Sequence, residues 1–166
     1  MKTFNINEIV NEIGCFDLQF RRDVRHQRPG APVYYAWKAQ FVLVAKIDQE
    51  ETFRLVQKIL NCGHLHFLTD KYLRYSVQSI DDLYNIIVPY FKTHPLNGKK
   101  QKDFELWSEA IEIIYQNKGK PLKTWPRQSF LRLIEIQKLM PQYKTKIVRK
   151  PKWLNIAESI LELLPE

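Results

Sequence analysis

Two stretches of this chain carry polar and cationic side chains at a spacing of two: Gln19 and Arg21 with Lys38 and Gln40, then His64 and His66 with Tyr72 and Arg74. Gln and Arg present paired hydrogen-bonding atoms that match adenine and guanine edges, and a two-stranded ribbon carrying them fits a major groove. The intervening segment adds Arg21, Arg22, Arg25, His26 and Arg28, cations suited to holding phosphates or entering a groove. His64 and His66 share one strand face, but no third ligand accompanies them, so they read as contact or surface histidines rather than a metal site.

The charge balance agrees. Lys and Arg number 26 against 18 Asp and Glu, for a net charge of +8 and a pI near 9.5. A balance of this size points to a polyanionic partner, nucleic acid before membrane. From Lys118 to Lys152 there are eleven Lys or Arg and one acid, Glu135, a net +10. Each of these cations that neutralises a phosphate would lower log affinity by about 0.9 per tenfold rise in salt on duplex DNA. No apolar run approaches the ~20 residues that span a bilayer, and the N-terminus lacks a signal-peptide core. The two cysteines, Cys15 and Cys62, have no CxxC spacing. They are expected as small buried hydrophobes in a reducing compartment, a bacterial cytoplasm or an organelle.

The elements that must position these residues follow from periodicity. Asn5 and Asn7 can cap a helix through Ile13, with Ile6, Ile9, Val10 and Ile13 on one face, ended by Gly14. Phe16, Leu18 and Phe20 alternate with Asp17, Gln19 and Arg21, the pattern of a half-buried strand. Residues 21–32 read as a loop, and a second strand covers Val33–Ile47. Asp48 caps a helix over Gln49–Leu60 with Phe53, Val56, Ile59 and Leu60 inward, ended by Gly63. A hairpin of His64–Leu68 and Tyr72–Val77 follows. Ser79 starts a helix that Pro89 should kink or shorten. Further helices are expected over Lys102–Gln116, Pro126–Met140 and within Pro151–Leu164. Residues Tyr143–Lys152 should be extended or loop-like and could wrap around a nucleic-acid backbone. This order requires an α+β fold: an antiparallel sheet with helices on one face and the other face open.

Several stretches carry a family resemblance. They are INEIVNEIGCF at Ile6–Phe16, Leu60-Asn61-Cys62-Gly63-His64-Leu65, Val77-Gln78-Ser79-Ile80-Asp81-Asp82-Leu83, and PLNGKKQKDFELW at Pro95–Trp107. In this order and spacing they resemble the LAGLIDADG homing endonucleases of single-motif type. The resemblance implies an αββαββα unit over residues 1–140, followed by a basic extension over 141–166 that ends in a short helix.

It also implies a chemistry. Two motif helices would pack side by side, and the acid ending each would hold Mg²⁺ for phosphodiester hydrolysis. Alignment on Gly14-Cys15-Phe16 puts Ile13 at that acid and Asn11 at the motif's other acid. Glu8 and Glu12 fall where small residues cross. Glu12 could serve as the metal and catalytic acid only if the motif is shifted by one residue. Lys99 and Lys100 match basic residues near the scissile phosphates. The expectation is therefore a protein that binds DNA or structured RNA through a basic sheet face, needs no cofactor and has lost cleavage. It could act within a larger RNA–protein assembly. The alternative is an active, Mg²⁺-dependent, site-specific double-strand endonuclease working as a homodimer, whose helix seam Glu8 and Glu12 would disturb.

Overall fold

The computed structural model describes residues 3–23, 28–144 and 153–166. The chain opens with α1 (Ile6–Ile13), capped by the Asn5 side chain, which accepts from the Asn7 N–H at 2.9 Å. Ile6 and Val10 are buried, while Ile9 and Ile13 sit half-buried on the shoulder of the same face. Gly14 follows in ordinary extended conformation, φ −66°. Its role is spatial: a Cβ there would meet Val10 Cγ1 at 2.6 Å and the Val10 carbonyl at 2.7 Å.

The strands β1 (Gly14–Asp23), β2 (Tyr34–Lys46), β3 (His64–Phe67) and β4 (Tyr72–Val77) form one antiparallel sheet in the order β1-β2-β4-β3. Phe16, Leu18, Phe20, Trp37, Phe41, Leu43, Leu73 and Tyr75 point to one face and join the core. All of the polar positions singled out at a spacing of two occupy the other face. β1 runs on through Asp23, so Arg21 and Arg22 lie on the strand and not in the loop. Successive strand residues point to opposite faces, so Arg21 shares a face with Gln19 and Arg22 does not.

Both cysteines depart from expectation. Cys15 is exposed at an outward position on β1 opposite Val42, and Cys62 is only partly buried.

A 3-10 turn over Ile47–Gln49 precedes α2 (Glu50–Leu60), so Asp48 lies in that turn and does not cap the helix. Phe53, Val56 and Leu60 are buried, whereas Ile59 falls outside that arc and is 49% exposed. The helix is ended by Asn61, not Gly63. Asn61 takes the left-handed conformation, φ 55°, and its N–H reaches the Gln57 carbonyl at 2.7 Å. Asn tolerates this region through its short polar side chain. Gly63 is also left-handed, φ 86°, and lies against the Tyr75 ring, where a Cβ would meet Tyr75 Cε2 at 2.7 Å. Tyr75 donates its hydroxyl to the Cys62 carbonyl at 2.8 Å. Burial pushes that hydroxyl's pKa up, which keeps it a donor.

Ser79 caps α3 (Ile80–Asp82) through the Asp82 N–H. A π-helical turn over Leu83–Ile87 then leads into α4 (Val88–Thr93). Pro89 cannot donate to the carbonyl four residues back and would clash with it. The preceding turn widens to i→i−5 bonding, with the Val88 N–H on the Leu83 carbonyl, and helical structure continues through the proline to Thr93.

The helices α5 (Gly98–Gln116), α6 (Arg127–Leu139) and α7 (Leu154–Leu163) complete the layer. Phe16 is the hub of the core. Its ring lies 4.9 Å from Trp107, 5.4 Å from Phe104 and 5.5 Å from Phe41. An edge strand exposes unpaired backbone groups unless something covers them. Here four side chains donate to carbonyls of β1: Lys100 to Gly14, Lys144 to Phe16, Trp107 to Asp17 at 3.0 Å and Gln137 to Leu18 at 3.3 Å.

Candidate nucleic-acid interface

The open sheet face carries a connected polar network that the hydrophobic pattern alone does not show. Asp17 on β1 faces Gln40 on β2. Gln19 and Gln40 both donate side-chain amides to Asp17 Oδ2, each at 2.8 Å. Gln40 Oε1 in turn accepts from Arg74 at 2.8 Å and from Gln78 at 3.2 Å. To reach Gln40, Arg74 lies along the sheet past the Val42–Ser76 pair, and both of those outward residues are buried as a result. Asp17, Gln19, Arg21, Lys38 and Gln40 line one concave groove with Gln78.

The remaining candidates are placed as follows. Gln19 and Arg21 are exposed, Lys38 is half-buried and Arg22 is half-buried at the strand's end. Arg28 is exposed in the loop, and Arg25 and His26 lie outside the described residues. His64, His66 and Tyr72 are exposed at the β3–β4 end, with the two imidazoles 6.3 Å apart. Asp17 and Gln78 were not among the sequence candidates. Their signal was present in strand alternation for Asp17 and in the polar Gln78-Ser79 step after β4, but their partnership is a cross-strand fact.

The basic C-terminal third is less available than its formal charge implies. Lys118 pairs with Asp81 at 2.6 Å, Arg132 forks onto Glu109 at 2.7 and 3.0 Å, and Lys138 pairs with Glu158 at 2.8 Å. Arg127 donates to the Leu161 and Leu164 carbonyls at the end of α7. Lys144 pairs with Asp103 at 2.6 Å. Acids from outside the segment offset much of its charge. Of the stretch Tyr143–Lys152, Tyr143 closes a 3-10 turn over Met140–Tyr143 and Lys144 follows it, while Lys146, Arg149, Lys150 and Lys152 lie outside the described residues.

At the end of α1, Ile13 is half-buried against the core. Asn11 Oδ1 accepts from the Asn97 N–H at 3.0 Å, and Asn7 donates to the His94 and Pro95 carbonyls at 2.7 and 2.9 Å. These two asparagines, one turn apart, fasten the 94–97 loop to the helix. Glu8 and Glu12 are exposed on the remaining face. Lys100 comes to the same place, donating to the Gly14 carbonyl, whereas Lys99 is exposed at the start of α5.

A match to the LAGLIDADG endonuclease family covers residues 13–111. The chain belongs to that family. This LAGLIDADG chain is 29% identical over 123 residues to the probable intron-encoded DNA endonuclease 1 of Mycosarcoma maydis, and the matched part is 74% of this chain. The chain spans only 40% of that relative's length. Its fold is that of the homing endonuclease I-TnaI, with a TM-score of 0.71 at 18% identity over 94% of this chain and 95% of the other. It also resembles I-SmaMI bound to an uncleaved DNA target in the presence of calcium ions, with a TM-score of 0.73 at 14% identity. There it covers 97% of this chain and 49% of the other.

The family's divalent metal does not fit the residues at this helix end. Ile13 has no donor atom and is turned toward the core. Asn11 is committed to the 94–97 loop. Among the described residues, no group of three or more His, Cys, Asp or Glu could hold a metal ion.

Proposed function

We propose that this LAGLIDADG chain binds duplex DNA through the open face of its sheet and, by itself, does not cleave it. The observation that supports this reading is a polar, cation-bearing sheet face that no helix of the described chain covers, standing beside a helix end where isoleucine replaces an acid. Four strands spaced ~4.8 Å apart give a surface about 14 Å between outer strands, close to the ~12 Å width of a B-DNA major groove. β1 and β2 are 10 and 13 residues long, and at ~3.3 Å per residue they track about one turn of duplex. A-form RNA offers a major groove too narrow for this surface, so DNA is the better fit. The relatives point the same way: one is a probable DNA endonuclease, and I-SmaMI is bound to a DNA target.

Hydrolysis needs an acid to hold the metal, and this chain offers Glu12 only one residue out of place on an exposed turn. The exposed Glu8 and Glu12 also oppose pairing of two identical α1 helices, since two copies would bring four carboxylates together.

The decisive experiment is duplex binding and plasmid cleavage in parallel, with Mg²⁺ or Mn²⁺ and with chelator. The expected result is binding indifferent to metal and intact plasmid at high protein excess. Metal-dependent cutting that disappears in Glu12→Gln would overturn the reading and establish an active endonuclease. Tighter capture of structured RNA than of duplex DNA in a mixed pool would overturn the choice of DNA.

A further inference from the structure

The DNA surface contains a carboxylate, which a surface built only to hold phosphates would exclude. Asp17 sits in the middle of β1, between the exposed Gln19 on its own strand and Gln40 across the pair. It lines the groove with Arg21 and Lys38. Its side chain is fixed by two amide donors on Oδ2, and neither bond uses Oδ1. Its backbone is fixed as well, because Trp107, wholly buried in the core, donates its indole N–H to the Asp17 carbonyl at 3.0 Å. The carboxylate is therefore rigidly placed on the surface that faces the ligand.

We propose that Asp17 is a specificity-determining residue that accepts a hydrogen bond from the exocyclic amino group of a cytosine in the bound duplex. The inference rests on the reading of the open sheet face as the DNA surface.

An ionised carboxylate only accepts. It repels phosphate, guanine O6 and N7, and thymine O4, all of which are acceptors, and it pairs with an amino group. Cytosine presents N4 alone in the major groove, whereas adenine sets its acceptor N7 beside N6. Cytosine is thus the base that meets a carboxylate without an opposing lone pair. Gln40, the neighbour best suited to adenine by residue type, is not positioned to compete. Its oxygen already accepts from Arg74 and Gln78, and its amide already donates to Asp17. With both acceptor sites of its oxygen taken, Gln40 cannot offer adenine the donor–acceptor pair it requires, so Gln40 does not compete with Asp17 at this point of the groove.

The test selects bound duplexes from a pool of randomised sequence with wild type and with Asp17→Asn, and follows each with affinities on the selected duplex and on an unrelated one. Thermal midpoints confirm that both proteins are folded. Wild type should enrich cytosine at one position, and replacing it with guanine should weaken binding about tenfold. Asp17→Asn should lose that preference at that position alone, while its affinity for unrelated duplex rises because a negative charge has gone. If the variant keeps the cytosine preference, or loses affinity equally on every sequence, Asp17 only orders its neighbours and the inference fails while the DNA-face reading stands. If wild type binds no duplex at all, both fail together.

Discussion

Replacing Lys144 by Met should destabilise the protein far more than loss of an ordinary surface lysine, and the loss should grow with pH. The Asp103 side chain is 1% exposed, and its Oδ2 lies 2.6 Å from Lys144 Nζ, which also donates to the Phe16 carbonyl. Asp103 Oδ1 has no hydrogen-bond partner among the described residues. Burial raises the carboxyl's pKa above 3.8, and Lys144 is the main influence lowering it again. Met fills much of the volume of Lys but leaves the carboxylate buried and unpaired, which costs about 3–5 kcal/mol.

The sign of the pH effect follows from linkage. A folded-state pKa raised above the unfolded value gives stability that is fully present below about 3.8 and is lost as pH rises through the folded value. Without Lys144 that value climbs further, so Lys144→Met should lie nearest to wild type in acid and deviate most at neutral pH. At roughly 2–4 °C per kcal/mol for a chain of this size, a loss of ~3 kcal/mol lowers the midpoint by about 6–12 °C. Adding Asp103→Asn removes the orphaned charge and should restore about half of the loss. Denaturant titrations of the two single variants and the double variant, from acid to neutral pH, supply the cycle. A neutral-pH loss below about 0.5 kcal/mol, or a double variant no more stable than Lys144→Met, would refute the argument.

Other outcomes follow from single positions. Gly63→Ala must place a Cβ against the Tyr75 ring at a left-handed position and should cost at least ~2 kcal/mol by denaturation. Asn61→Ala should cost about 1–2 kcal/mol for the same backbone region, while Asn61→Gly should be nearly neutral; equal effects would discount the conformational argument. Arg74→Ala should weaken duplex binding by ~1–3 kcal/mol. It should also uncover Val42 and Ser76, so part of the effect will appear as lost stability, separable by measuring both. Arg21→Ala should reduce the salt dependence of binding by about one phosphate contact, with titrations at several salt concentrations as the readout.

Much of the layer order was legible in local pattern. Alternation of Phe16, Leu18 and Phe20 with polar residues determined the buried face of β1, because strand side chains have a period of two regardless of what packs on them. The Gly14-Cys15-Phe16 junction marked the turn from helix to strand, and Ile13 in place of an acid could be read directly. Asp48 and Ile59 misled, because a 3-10 turn and the angular limit of a helix's buried arc depend on where the helix docks. Pro89 announced a perturbation but not its form, a π turn over Leu83–Ile87.

What only tertiary structure decided is partnership. Taken alone, Lys118–Lys152 carries a net charge of +10, yet Asp81, Asp103 and Glu109 meet its cations only after residues 23 to 41 positions apart are brought together, and Glu158 meets Lys138 only after α6 and α7 pack. Likewise Gln40 and Arg74 each read as independent base-contacting residues, and the folded sheet ties them to each other and to Asp17. Periodicity reports which face a residue occupies. Which neighbour satisfies it is set by strand register and helix docking, and those are properties of the whole chain.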